Sequence, residues 1–281
     1  EHSTRETQPL VFAVRDGKVP AATVDEMATH VLYVMAKCGF LDQPAARVTG
    51  PCNPPEHQTI ARKIGEEAIV LLKNDAGVLP LDAAKMKTVL VVGDLADAHH
   101  TVGGASAEGN PPYEITPSQA LQERLGKDVK IVRAPLVATN GNGLVRAVAA
   151  QADAVLVFTG TSLGWGRARE CEGADRPNLL LPDGHDEAIA KILSWKLPNT
   201  VVINHSGSPV EMPWLNRCAT LVQHPYLGQE SGRPLAAVLF GDVNPSGRLP
   251  CTWPKTLADT PVARMGTYNA QHVTYNEGFY V

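Results

Sequence analysis

The sequence contains no basic run and no uninterrupted apolar run that approaches the ~20 residues of a bilayer-spanning helix. Its formal net charge is -4 at pH 7. We therefore predict no membrane-spanning segment, and neither nucleic acid nor an anionic membrane surface as a partner. Residues 1–9 are polar and show no signal peptide, so the compartment stays open.

The cysteines and histidines are not arranged as binding sites. The five cysteines are widely spaced and form no CxxC pair, so a disulfide framework is not expected. Nine histidines are present, and the densest group, Asp94, Asp97, His99 and His100, lacks the helical spacing of metal ligands. The glycine-rich residues 93–107 match neither phosphate-binding motif. We predict no metal and no cofactor.

Short apolar runs alternate with helical patterns over most of the chain. The predicted strands are residues 88–93, 129–133, 154–160, 200–204 and 220–224. A helix is predicted before them, over about residues 57–73. Strands that alternate with helices at this spacing indicate an α/β fold, with a mostly parallel sheet flanked by helices.

The first 56 residues have a different character. Apolar residues recur at helical spacing over residues 20–38, and Gly39 follows as a helix stop. Residues 42–56 are proline-rich and read as a linker, and the α/β domain spans residues 57–281. Because one helix is too little for a domain, we expect its apolar stripe (Val24, Met27, Val31, Leu32, Met35) to dock outside this sequence.

A charged loop follows the predicted strand 154–160. Three acids and three arginines lie close together in it: Arg167, Arg169, Glu170, Glu172, Asp175 and Arg176. It leaves the carboxyl end of a parallel strand, where open α/β sheets hold their ligands. Glycines and Trp165 within it suit a loop that closes over a polar ligand, although a solvated connection is the alternative.

Several strings resemble the second domain of glycoside hydrolase family 3, and within it the β-glucosidases. They are residues 66–74, 78–81, the Gly-Gly-x-Ser-Ala loop at 103–107, Glu-Gly-Ala-Asp-Arg at 172–176, residues 228–232, and the long string 239–250. The resemblance covers about residues 57–281. Residues 1–41 resemble the terminal helix of the family's first domain, most of which this sequence lacks, and the α/β domain is expected to be truncated at its C-terminal end.

The resemblance implies a six-stranded α/β sandwich that works with a (β/α)8 barrel of the same enzyme, possibly on a separate chain. The barrel supplies an aspartate nucleophile, and the sandwich supplies an acid/base glutamate. That role falls on Glu172, with Glu170 as the runner-up. The implied activity is retaining, exo-acting hydrolysis that releases a terminal β-linked sugar from a carbohydrate substrate.

The chemistry of the loop agrees with that role. Retaining hydrolysis needs one carboxyl group that attacks the anomeric carbon and one that protonates the leaving oxygen. An arginine paired with the second group would hold it ionised, so we assign Arg176 to Asp175 as a structural pair. Trp165 and Arg169 are the substrate-binding candidates.

Two other readings remain. One is a non-catalytic sugar-binding or scaffold module of the same fold, and the intact 172–176 string favours the enzyme over it. The other, a nucleotide-binding flavodoxin-like domain, is disfavoured by the missing phosphate motif. The sugar and the linkage stay open.

Overall fold

The computed structural model describes residues 3–42, 52–75, 77–101, 109–137, 142–163, 169–170, 176–265 and 272–274. The chain divides into two compact units, Glu1–Cys52 and Asn53–Val281. None of the helices in the described parts combines the length and apolar character that a bilayer crossing requires.

The first unit holds helices α1 (Ser3–Arg15) and α2 (Ala21–Lys37). Helix α2 was predicted, and it ends before Gly39, whose φ of 76° an L side chain rarely adopts. None of its residues is buried, and most of its apolar side chains are exposed, Val31 by 62%. Helix α1 was not predicted, since its sequence contains a proline and few apolar residues at helical spacing.

In its described residues, the second unit contains eight strands and six α-helices. They are α3 (Pro55–Ala68), β1 (Val70–Asn74), β2 (Thr88–Val92), α4 (Pro117–Leu125), β3 (Lys130–Ala134), α5 (Asn142–Ala149), β4 (Ala154–Gly160), β5 (Ser162–Leu163), β6 (Arg169–Glu170), α6 (His185–Leu193), β7 (Thr200–His205), β8 (Thr220–His224), α7 (Gly232–Leu239) and α8 (Pro261–Met265).

Six strands form one sheet in the order β1-β8-β7-β4-β2-β3. Strand β1 runs antiparallel to β8, and every other neighbouring pair is parallel. The predicted fold class is therefore confirmed. The short strands β5 and β6 pair with each other in a separate two-stranded sheet.

The central strands form the core because they are apolar on both faces, as parallel sheets covered by helices require. In β4, Leu156 and Phe158 pack with α4 and α7, whereas Val155 and Val157 pack with α5 and α6 on the opposite face. All seven residues of β4 are buried. In the central strands, polar side chains therefore lie near the strand ends. At the carboxyl ends, they lie beside the loops that follow the strands.

The predicted helix over residues 57–73 is wrong in its last turn. Helix α3 ends at Ala68, and Val70–Asn74 forms the edge strand β1. Residues 69–72 are four consecutive apolar residues, a pattern that fits a helix or a strand equally well. Pairing with β8 decides it, because the backbone of β1 gains a ladder partner there.

Two helical glycines give a test of how tightly the unit is packed. A Cβ on Gly232 would lie 2.2 Å from the backbone oxygen of Thr116, whereas a Cβ on Gly143 would meet nothing within 4 Å. We expect Gly232→Ala to destabilise the chain by about 1–3 kcal/mol through overpacking. Gly143→Ala should instead stabilise it by about 0.4–1 kcal/mol through the unfolded state.

Urea unfolding of both variants measures these free energies of unfolding. The opposite signs are the result to look for, since both substitutions add the same methyl group to a helix. An equal gain in stability at both positions would contradict the packing of α7 against residues 115–116.

Candidate active site

The loops after β4, β7 and β8 meet at one edge of the sheet, because these strands are parallel. Gly160 makes the meeting close: at φ 140° its added Cβ would lie 1.8 Å from the backbone oxygen of His205. The next residue, Thr161, donates its backbone N–H to that same oxygen at 2.9 Å. The ends of β4 and β7 are thus held together at the point where the chain leaves β4.

The carboxylate of Glu170 binds the loop that follows β7. Its Oε2 accepts the backbone N–H of Gly207 and its Oε1 accepts that of Ser208, each at 3.0 Å. The hydroxyl of Ser208 also donates to Oε1. The side chain is 15% exposed. Both oxygens of Glu170 therefore have donors from one neighbouring loop.

Arg176 reaches the same loop from the other end of the charged segment. Its Nη2 donates to the backbone oxygen of Pro209 at 2.6 Å, and its Nη1 lies 3.9 Å from Oε1 of Glu170. Burial lowers the pKa of Arg176, and the charge of Glu170 opposes that shift. Since an arginine keeps its proton at any working pH, this is a buried ion pair.

A cluster of aromatic rings lies beside this ion pair. The Tyr226 hydroxyl is 2.9 Å from the Thr161 hydroxyl. The ring of His100 stacks on Tyr226 with centroids 5.4 Å apart, and the ring of His205 meets Tyr226 edge-on at 4.8 Å. The Nδ1 atoms of His205 and His224 are 2.8 Å apart.

The hydrogen bonds fix the tautomers of two of these histidines. The backbone oxygen of Ser231 can only accept, so Nε2 of His224 donates to it at 3.0 Å. In a neutral ring, Nδ1 of His224 is then the acceptor for the Nδ1–H of His205. The Nε2 of His205 is left as a buried acceptor with no partner in the described residues.

These rings are uncharged at neutral pH. Burial lowers the pKa of His100 and of His224 to about 4, and that of His205 well below its usual value. Burial raises the pKa of Tyr226, and the nearby negative charge of Glu170 adds to the shift. The ion pair Glu170–Arg176 thus lies beside buried rings that carry no charge at neutral pH.

The structure brings together only some of the residues singled out from the sequence. Glu170 and Arg176 are in contact, which the sequence did not predict. Arg169 lies in β6, where its backbone pairs with Ser162. Glu172, Trp165 and Asp175 lie outside the described residues, so the pairing of Arg176 with Asp175 stays a prediction.

Sequence reasoning missed Gly207, Ser208 and Tyr226. A signal was available, because they follow the carboxyl ends of β7 and β8, the same edge that drew attention to the charged loop. Within the described ranges, no group of three or more His, Cys, Asp or Glu side chains is arranged to hold a metal ion.

Known proteins and domains that this chain resembles are glycoside hydrolases. The family model for the glycosyl hydrolase family 3 C-terminal domain matches residues 69–281. β-Glucosidase BoGH3A of Bacteroides ovatus is 32% identical over 272 residues, covering 90% of this chain and 36% of that protein. Thermostable β-glucosidase B of Acetivibrio thermocellus is 29% identical over 282 residues, covering 97% of this chain and 36% of that protein.

A solved structure is similar over nearly the whole chain. The GH3 β-glucosidase of Bifidobacterium adolescentis matches with a TM-score of 0.82 at 29% identity, covering 99% of this chain and 40% of that one. The β-D-glucoside glucohydrolase of Trichoderma reesei matches with a TM-score of 0.75 at 27% identity, covering 90% of this chain and 38% of that one. The chain spans little more than a third of the length of the two curated relatives.

The buried histidines predict how stability depends on pH. Their folded pKa values lie below the usual 6.5, so between pH 6.5 and about 4 the unfolded chain binds more protons than the folded one. The free energy of unfolding should therefore fall as the pH falls through this window, by about 1.4 kcal/mol per pH unit for each such histidine. Glu114 and Glu170 face His100 and reduce its share, whereas the charge of His99 adds to it.

Urea unfolding at pH 7, 6 and 5 measures this slope. His100→Phe should make it shallower, because phenylalanine preserves a ring against Tyr226 but cannot titrate. His57→Phe, at an exposed position, is the matched control. A slope that His100→Phe leaves as steep as in the unmodified chain would contradict the assignment.

Proposed function

Because the chain belongs to glycoside hydrolase family 3, we propose that it supplies the acid/base group of a retaining, exo-acting β-glucosidase that releases a terminal β-linked sugar. The family membership, first indicated by the motifs, is confirmed by the match over residues 69–281. The proposed acid/base residue is Glu172. The names of the relatives, β-glucosidases in each case quoted above, support this substrate class.

The observation that carries the choice of residue is the environment of Glu170. A general acid must present its carboxyl group within hydrogen-bond reach of the leaving oxygen. Both oxygens of Glu170 are instead engaged by the backbone of Gly207 and Ser208, with Arg176 alongside. Of the two carboxyl groups that the sequence leaves open, this favours Glu172.

In the proposed reaction, the carboxyl group of Glu172 donates its proton to the glycosidic oxygen as the bond to the anomeric carbon breaks. A second carboxylate attacks that carbon from the opposite face and forms a glycosyl-enzyme intermediate. Glu172, now ionised, takes a proton from water, and the resulting hydroxide equivalent releases the sugar. Trp165 and Arg169 are proposed to contact the sugar.

The second carboxylate is proposed to come from an aspartate of a (β/α)8 barrel, in the same polypeptide or on a separate chain. The sequence contains no Ser-Asp-Trp-like nucleophile motif. The two curated relatives are longer, and this chain covers 36% of each, which supports a further domain. The exposed apolar face of α2 is proposed to pack against that barrel.

We expect the chain by itself to be inactive, because retaining hydrolysis needs the nucleophile that it lacks. The measurement is hydrolysis of an aryl β-glucoside by the purified chain, beside the same chain joined to its barrel domain. Turnover by barrel-free material, in proportion to its concentration, would show that the nucleophile lies within this sequence.

Replacement of Glu172 should separate the two chemical steps in the barrel-containing enzyme. Glu172→Ala should lower the rate with an alkyl glucoside roughly 10²–10⁴-fold, because that leaving group needs a proton. With dinitrophenyl glucoside the intermediate should form without an acid and accumulate, since its hydrolysis still needs a base. Added azide should relieve this block and yield a glycosyl azide, because an anionic nucleophile needs no base.

Glu170→Ala is the matched control, two residues upstream in the same loop. It should give no azide rescue and no glycosyl azide. If the Glu170 variant were the one rescued, Glu170 would be the acid/base residue and the proposal for Glu172 would fail.

A further inference from the structure

We propose that Glu170 and Arg176 are positioning residues for the acid/base step, because together they fasten both ends of residues 171–175 to one stretch, residues 207–209. The inference rests on the proposed function, in which Glu172 of that segment is the acid/base group. Glu170 immediately precedes the segment and Arg176 immediately follows it. Neither residue needs to touch the substrate in this role.

The two anchors are close to each other on the same support. Glu170 accepts the backbone N–H groups of Gly207 and Ser208, and Arg176 donates to the backbone oxygen of Pro209. The ends of a segment of five intervening residues are therefore held at adjacent points. Fixing both ends removes most of the conformations that such a segment can sample.

The support is itself held by hydrogen bonds to the sheet. Residues 207–209 follow β7 after one residue, Ser206, which is held by the neighbouring strand. Gln223 of β8 donates to the backbone oxygen of Ser206 at 2.8 Å, and Asn204 of β7 donates to its hydroxyl at 2.9 Å. Asn204 and Gln223 are buried near the carboxyl ends of β7 and β8. A site is most accurately held when its supporting groups are locked by such packing.

Charge couples the two anchors. The side chains of Glu170 and Arg176 are 15% and 7% exposed, and their charged atoms lie 3.9 Å apart. Loss of either one would leave a buried charge with a weaker partner, which is costly away from water. Removing one of the two side chains should therefore weaken the binding of the other to residues 207–209, so we expect their effects to be coupled.

The space around Gly207 indicates how closely Glu170 fits. A Cβ on Gly207 would lie 2.8 Å from Oε2 of Glu170 and 2.9 Å from the ring of Tyr226. The carboxylate of Glu170 thus binds at a glycine, where there is no room for a side chain. A small change here would shift Glu170, and a displacement of about 1 Å at a reacting group can cost about 10²-fold in rate.

The test is Glu170→Gln in the barrel-containing enzyme. Glutamine has the same size, but its amide nitrogen faces a backbone N–H and cannot accept from it. We expect kcat/KM for an alkyl glucoside to fall roughly 10–100-fold, because the proton donor is misplaced. For dinitrophenyl glucoside, whose departure needs no proton, kcat/KM should stay close to that of the unmodified enzyme.

Arg176→Met should show the same contrast between the two substrates. The double variant with Glu170→Gln should lose far less than the product of the single losses, because residues that act as a unit are not additive. Glu230→Gln is the matched control: Glu230 is also buried, also lies near an arginine (Arg233) and also accepts from a hydroxyl (Tyr113). It should affect both substrates equally.

The outcomes separate this inference from the proposed function. Equal losses for both substrates in Glu170→Gln, with Glu172→Ala still rescued by azide, would overturn the positioning role and leave the acid/base assignment intact. Azide rescue of Glu170→Gln would also overturn the positioning role, because it would show that Glu170 itself is the acid/base residue. If Glu172→Ala kept its activity on the alkyl glucoside, the proposed function and the inference would fail together.

Discussion

The burial of the central strands on both faces is the constraint on which the rest of this structure depends. Strands β4, β7 and β8 are buried along their whole length, with helices on either side of the sheet. A charged group within them would have no access to water. Charged side chains are consequently displaced to the loops, and parallel strands bring the loops that follow them to one edge.

At that edge, buried carboxylates accept hydrogen bonds from backbone N–H groups that have no partner in the sheet. Glu170 accepts two backbone N–H groups from the loop after β7, and Glu114 accepts those of His100 and Thr101, at 2.6 and 3.3 Å. A buried backbone N–H that lacks a partner is costly, so these interactions stabilise the loops. An acidic residue in a candidate catalytic loop can thus be structural, and its hydrogen bonds identify it.

The sequence predicted strands of the sheet correctly where the hydrophobic pattern favoured a strand over a helix. Strands at 154–160 and 220–224 were placed with the bounds that the structure gives, because short runs that contain β-branched residues and stand apart from a helical pattern favour strands. Residues 70–74 were misassigned, because an apolar run after a helix carries no information about its strand partner. The charged loop was predicted to bind a ligand because it follows the carboxyl end of β4. The family resemblance, which rested on several strings along the chain, was confirmed by the family model.

By itself, the sequence determined the fold class, the family and the loop in which the candidate acid/base residues lie. These follow from local periodicity and from short strings, which are properties of neighbouring residues. The tertiary structure alone decided that Glu170 binds Gly207 and Ser208, and that Arg176 lies against Glu170. The reason is distance along the chain: more than thirty residues separate Glu170 from the loop after β7, and only the parallel pairing of β4 with β7 brings their ends together.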